Sequence, residues 1–441
     1  MNGRIVAIFC AGVTGFLVAG PLRASEEGGS EESVALSGSA LLEQANALRD
    51  EQFEVAGRVS KDFPDSADAL VLMGYVYSSH GMLAETAKCW ERCLALDPKR
   101  ADIYDQMGRL AVRREDYEEA LGLWRKALKL QGAMPGAHHG MAEALMAMGR
   151  TEEAVAELHR ELEISPGSSA SHYALGQAYA RLQEFEKAKA SYLAAVRVQP
   201  DHLRAYYGLA TVCARLGQRE ESANYREEFR KLKVLGVEAN NDTRSQYDDL
   251  ERMRVKLAVT CTDAGRVYQR HGYIWRAEKL WRRAAELDSK NVVCRTLLAG
   301  VYEQGRRPED ALRMYGELAG IDPSNVGYHQ KMGLLSAGLK RFDAAERAFK
   351  KMVEVAPQRG EGYRMLAQLY LNLDRDLSGA KELAATSVRL EPIAPSYFVM
   401  AWAHVKNGER AAALAAIRKA VDLDPGNTQY RKMYESIQKE N

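Results

Sequence analysis

The stretch Ser169–Pro200, SASHYALGQAYARLQEFEKAKASYLAAVRVQP, decides the fold. Its apolar residues recur three and four apart in two runs parted by a short turn, the pattern of two amphipathic helices. In the first run Leu175, Gly176 and Tyr179 share a face; in the second Ala188, Tyr192 and Ala195 do. Small residues let two helices approach closely while the aromatic fills the wedge between them. Pro200 then stops the second helix, because proline has no N–H to donate and fits only a first turn. The stretch predicts a helical hairpin closed by a proline.

The same unit recurs on both sides of it. Prolines stand at Pro64, Pro98, Pro166, Pro200, Pro323, Pro357, Pro392 and Pro425, spaced by 34, 68, 34, 123, 34, 35 and 33 residues. The unit is 34 residues; the 68 is two units, with Gly132 where the proline is missing, and the 123 is three units plus 21 extra residues. Ala120, Trp124 and Ala127 repeat the second-helix face, as do Ala277, Trp281 and Ala284. Gly81, Gly149, Gly217, Gly272 and Gly408 fall between paired helices, where a residue of positive φ ends one helix and starts a tight turn.

Leu175-Gly176, Tyr179, Ala188, Tyr192, Ala195 and Pro200 resemble the tetratricopeptide repeat pattern almost position for position. Ten units begin near Ala67, Ala101, Pro135, Ser169, Leu203, Ala258, Val292, Val326, Gly360 and Ala394, so the resemblance runs from Ala67 to about Asn427. It implies an all-α solenoid of helical hairpins wound into a right-handed superhelix. A degenerate unit is expected over 40–66, five repeats over 67–230, a joint over 231–257, five more repeats over 258–427, and a polar-faced capping helix over 428–441. Departures are few. Ala142, Ala210, Ala299, Ala367 and Ala401 replace the first-helix glycine, Glu161 stands where a small residue is usual, and the ninth unit has an extra residue around Asp374 to Gly379. The extra residues near Lys231 to Leu250 carry Gly236 and Asn240-Asn241-Asp242, which read as a loop between extended helices, a hinge or a dimer contact on the sharper reading. Asn241-Asp242-Thr243 is also a glycosylation acceptor motif, which matters only in a eukaryotic secretory pathway.

The first 24 residues read as a secretory signal peptide: Arg4, an apolar run from Ile5 to Gly20, then Leu22-Arg23-Ala24 before the cleavage point. That sixteen-residue run falls short of the roughly 20 needed to span a bilayer; an uncleaved signal anchor is the alternative. Ile8-Phe9 ahead of Cys10 argues against a lipoprotein signal. Either way the body is expected outside the cytoplasm, periplasmic or extracellular, or tethered to the membrane by the anchor. Residues 25–39, rich in Glu, Ser and Gly, read as an acidic flexible tether.

With 61 Lys or Arg against 60 Asp or Glu, the 441-residue chain has a formal charge of +1, so its bulk charge does not encode a field for nucleic acid. The sequence contains no G-x-x-x-x-G-K phosphate loop, no G-x-S-x-G elbow and no H-E-x-x-H pair. Signal, tether, repeats, joint and cap use the whole chain, which leaves no domain for catalysis and predicts neither cofactor nor metal. Cys89 and Cys93 stand four apart, but zinc wants four ligands at set spacing and no second pair follows. His138, His172 and His329 all fall on the fourth position of a unit, so their recurrence follows from the scaffold. Trp90, Trp124 and Trp281 read as core residues rather than a base-stacking platform.

What remains is a surface. In proteins that resemble this one, first helices line the concave face, and positions 2, 5, 9, 12 and 13 of each unit point into it. Those positions give a basic and aromatic stretch: Arg109, Arg113, Tyr173, Gln177, Arg181, Arg204, Tyr207, Arg215, Arg266 and Arg270, interrupted by Asp102, Asp105 and Glu143. Arginine forks bind carboxylates through two bonds at once, and tyrosines offer rigid contact area. An acidic or C-terminal peptide segment of another protein is the expected ligand. The Lys and Asn clamp of chaperone-binding family members is missing, as is the Asn ladder of the glycosyltransferase-linked members, with Leu72, Gln106, Gly140 and Ala174 in its place. The sequence thus reads as a non-catalytic exported scaffold. The alternatives are an accessory subunit that positions a separately encoded enzyme, and a helical-repeat RNA reader, which the charge balance and export signal disfavour.

Overall fold

In the computed structural model, residues 38–238 and 242–439 are described. The signal peptide, residues 25–37 of the tether, residues 239–241 of the joint and residues 440–441 of the cap lie outside them. Among the described residues the chain forms 22 α-helices and no strand. The first, α1, spans Gly38–Asp62. Five hairpins follow: α2 Ala67–Ser79 with α3 Leu83–Leu96, α4 Ala101–Arg113 with α5 Tyr117–Leu130, α6 Ala137–Ala147 with α7 Thr151–Ile164, α8 Ser169–Arg181 with α9 Phe185–Val198, and α10 Leu203–Arg215 with α11 Arg219–Glu238. Five more come next: α12 Asp242–Arg270 with α13 Ile274–Leu287, α14 Val292–Gln304 with α15 Pro308–Ile321, α16 Val326–Gly338 with α17 Phe342–Val355, α18 Gly360–Asn372 with α19 Leu377–Leu390, and α20 Ala394–Lys406 with α21 Arg410–Leu423. The last, α22, is Thr428–Lys439.

One device closes every hairpin. The fifteenth residue of each unit has positive φ: glycine at Gly81, Gly149, Gly217, Gly272 and Gly408, and Glu115, Gln183, Arg306, Lys340 and Asp374 in the other five. The next residue's N–H returns to the carbonyl five residues earlier, as Arg150 does to Leu145 at 2.8 Å and Glu184 to Tyr179 at 2.9 Å. That closure satisfies carbonyls that the helix end would otherwise leave unpaired.

Glycine in the first helix is matched to an aromatic in the second. A Cβ on Gly176 would stand 2.5 Å from the Tyr192 ring, and one on Gly265 2.3 Å from the Trp281 ring. Trp124 and Tyr192 each press on two glycines, one in their own repeat and one in the next: Gly108 and Gly140, Gly176 and Gly208. Where alanine replaces the glycine, the residue at the aromatic's place is Leu158 for Ala142, the half-buried Tyr315 for Ala299 and Ile417 for Ala401, but Arg226 for Ala210 and Ala384 for Ala367. At Ala142 and Ala401 the extra methyl is thus met by a side chain smaller than an aromatic. Glu161 has its own reason. Its buried carboxylate accepts the Gly136 N–H at 2.8 Å and the His139 N–H at 3.4 Å, capping α6, whose N-cap Gly136 has no side chain to do so.

The segment expected as a degenerate hairpin is the single helix α1, and it packs along α12 as closely as the two helices of one repeat pack together. Gln52 donates to Thr260 at 2.9 Å and Tyr268 to Asp62 at 2.5 Å, so α1 runs parallel to α12. Glu51 meets Arg283 and Asp62 meets Arg276, so it runs antiparallel to α13. Ala56, Val59, Leu257, Ala258 and Cys261 form the dry seam, each 0% exposed. The 29-residue α12 therefore packs against α1 as well as its hairpin partner α13, and also reaches α2.

Candidate functional site

Successive first helices touch, α4 with α6, α6 with α8 and α8 with α10, while successive second helices do not come as close among the described residues. The array curves with its first helices inside. α12 packs on α2 as well as α1, so the inner wall runs α12, α2, α4, α6, α8, α10. Periodicity alone would put α12 after α10.

This order splits the basic stretch. At the α12 end Arg270 pairs with Asp68 of α2, and Arg266 donates to Asp263 at 3.0 Å. Arg100 bridges Asp68 at 3.0 Å and grips both oxygens of Asp102 at 2.8 and 2.7 Å. Arg109 donates to Asp105 at 3.1 Å, and Asp105 also accepts the indole N–H of Trp124 at 2.8 Å. Acids and bases here are mutually satisfied around Tyr75, 40% exposed. The two carboxyls differ in character: hydrogen bonding to Arg100 holds Asp102 below the ordinary carboxylate value, whereas burial pushes Asp263 up despite Arg266.

Beyond α4 the wall changes. Glu143 of α6 lies 3.4 Å from His139, whose hydrogen bond, with the charge of Arg109, holds the carboxyl low. In α8, Gln177 donates to the Tyr173 hydroxyl at 3.0 Å, and the Tyr173 ring leans on those of Tyr192 and His202 at 5.8 and 5.0 Å. Arg181 donates to the Met146 carbonyl at 2.8 Å. In α10, Tyr207 is 62% exposed, its ring 5.6 Å from Phe229 of α11. Arg113, Arg204 and Arg215 are exposed and have no partner among the described residues. Of the ten candidates, these three guanidiniums are free to take an external anion. Periodicity did not single out Tyr75, although it occupies the ninth position of its unit as Arg109 does of the next.

The other singled-out residues have structural employment. His172 and His329 donate from Nε2 to the carbonyls of Pro166 and Pro323 at 3.0 and 2.9 Å, closing the loop before their helix. His138 pairs with Glu157 at 2.6 Å. Cys93 is fully buried, and Trp90, Trp124 and Trp281 are 0–1% exposed.

Models of the tetratricopeptide repeat match residues 111–161, 173–226 and 394–427. No curated protein matches the chain. Among solved structures the chain is similar in fold to MamA, at 18% identity over 38% of this chain and 97% of that one, TM-score 0.36. It is similar to YrrB, a repeat protein of this kind with an unusual peptide-binding site, at 20% identity over 41% and 92%, TM-score 0.35. It is also similar to yeast Tom70, at 14% identity over 85% and 96%, TM-score 0.33.

Proposed function

This chain is a tetratricopeptide-repeat protein, and we propose that it serves as a non-catalytic exported scaffold whose first array binds an acidic, extended segment of another protein. The observation that carries this reading is the contrast along the inner wall. Arg109, Arg266 and Arg270 spend their charge on neighbouring aspartates, whereas Arg113, Arg204 and Arg215 have no such partner among the described residues. A charged hydrogen bond is worth about 1.5–3 kcal/mol, so two or three to one segment support micromolar binding after ordering costs. Tyr207 adds a rigid exposed ring on α10, the helix that also carries Arg204 and Arg215. Export rests on the first 24 residues, with their Arg4 start and apolar run.

The test is a crosslinking pull-down from the envelope or secreted fraction, wild type against Arg204→Glu/Arg215→Glu. Both positions are exposed and unpaired, so the variant keeps its melting temperature. A partner lost only from the variant, and eluted from the wild type by salt, supports the reading. Equal recovery from both overturns it.

A further inference from the structure

Because α1 and α13 flank α12 and meet each other only through long side chains, a cleft is left between them. Arg283 grips both oxygens of Glu51 at 2.8 Å at one end, and Arg276 bonds Asp62 at 2.6 Å at the other. Eleven residues of α1 separate these bridges, about 16 Å at 1.5 Å per residue. The open cleft has a volume of about 700 Å³, within the roughly 300–1,000 Å³ of small-ligand sites between helices. Its floor is apolar: buried Cys261 and Tyr268, with half-buried Val55 and Leu280. Burial pushes the Cys261 thiol up to about 12, so it is neutral. At the mouth Trp275 is 65% exposed, with the Arg276 guanidinium 5.2 Å over its ring.

The charges at the rim are almost balanced, and the imbalance is informative. Glu54 pairs with Arg58, Glu278 with Arg282 and Arg307, and Glu286 with Arg283. Lys279 lines the same cleft, is exposed, and has no partner among the described residues. The cleft thus offers an apolar bed, an exposed indole and one uncompensated cation. It is separate from the groove, because Cys261 and Tyr268 point away from the α12 face that carries Arg266 and Arg270, by the 3.6-residue turn.

We propose that this cleft is a second binding site, for an amphipathic anion with an apolar body and a single carboxylate. The chemistry fits a medium-chain fatty acid or the C-terminus of an apolar peptide. The test is calorimetric titration of the full chain with dodecanoate below its micellar concentration and, separately, with acetyl-Leu-Leu-Phe bearing a free carboxylate. Trp275 fluorescence is followed in parallel, and neutral dodecanol serves as control. At least one carboxylate probe binds saturably at one per chain. Its Kd rises at least tenfold in Lys279→Glu, and Val55→Phe, which fills the bed, abolishes binding, both with unchanged melting. Arg204→Glu/Arg215→Glu leaves the affinity as it is, which separates this site from the groove. The probe that binds tells lipid from peptide. No saturable binding by either probe, or equal affinity in both cleft variants, overturns the proposal.

Discussion

Glu51 and Arg283 stand 232 residues apart in the sequence and 2.8 Å apart in the fold, joined by two parallel bonds. They mark the place where the chain returns to its beginning. Five hairpins lead away from α1, and α12 then comes back to lie along it. Nothing in a nearest-neighbour solenoid requires that return. It happens because α1 has an apolar face that α2 alone does not cover, and α12 is long enough to cover it.

Packing, not the ion pair, should hold that seam. Leu257→Ala leaves a cavity at a 0% exposed site and should cost about 2–5 kcal/mol in urea unfolding. Arg283→Ala removes a pair whose side chains are 40% and 31% exposed and should cost under about 1 kcal/mol. The reverse order would mean that charge locates α1.

Gly176→Ala should destabilise by about 1–3 kcal/mol through overpacking, since its Cβ meets the Tyr192 ring at 2.5 Å. Combining it with Tyr192→Leu reproduces the alanine–leucine pairing of Ala142 and Leu158, so the double variant should be more stable than the two single losses summed. Strict additivity would refute the size matching.

At the fifteenth position, Gln183 with φ 61° should accept glycine with a gain of up to about 1 kcal/mol, since a side chain in the left-handed region costs about 1–2 kcal/mol. Gly149→Ala, at φ 79°, should lose about as much. Thermal melts of the two variants check both signs.

Asp102 sets an acid limit. Arg100 holds its carboxyl below the ordinary value of 3.8. The native state thus favours the ionised form, giving stability that is fully present above 3.8 and lost as pH falls through the lower folded value. Asp102→Asn should lose stability at neutral pH, and its gap to wild type should close below pH 3.8. Because the carboxylate is half exposed, the gap is under about 1 kcal/mol. A gap that persists at pH 2 would assign the loss to packing.

Thiol labelling probes the core. Burial raises Cys93 and Cys294 to about 11 and Cys261 to about 12, and also raises Cys213 and the half-buried Cys89. Iodoacetamide at pH 8 should modify Cys89 slowly and leave the other four intact over the same period, read by mass spectrometry. Fast labelling of Cys261 would mean that α1 leaves its seam.

The hairpins could be read from the residues because everything that makes them lies within one period. Eight of the ten first helices begin at the residue the 34-residue period marks, from Ala67 to Ala394. The exceptions have local causes: α6 starts at Ala137 after Pro135 and Gly136, and the extra residues lengthen α11 and α12 rather than adding a separate element. The candidate groove was legible only as a set of positions. Which arginines are already paired depends on neighbours in other repeats, such as Asp68 for Arg270, and no spacing reports that.

The sequence by itself determined the repeat, the turn at its fifteenth position, and the match of glycine to aromatic, since each is a contact between residues less than 34 apart. Only the tertiary structure decided that α12 belongs beside α1 and α2, that three guanidiniums remain free, and that a cleft opens between α1 and α13. The physical reason is range. A period specifies what each unit packs against next, whereas the burial of one leftover apolar face is settled among all surfaces of the folded chain at once.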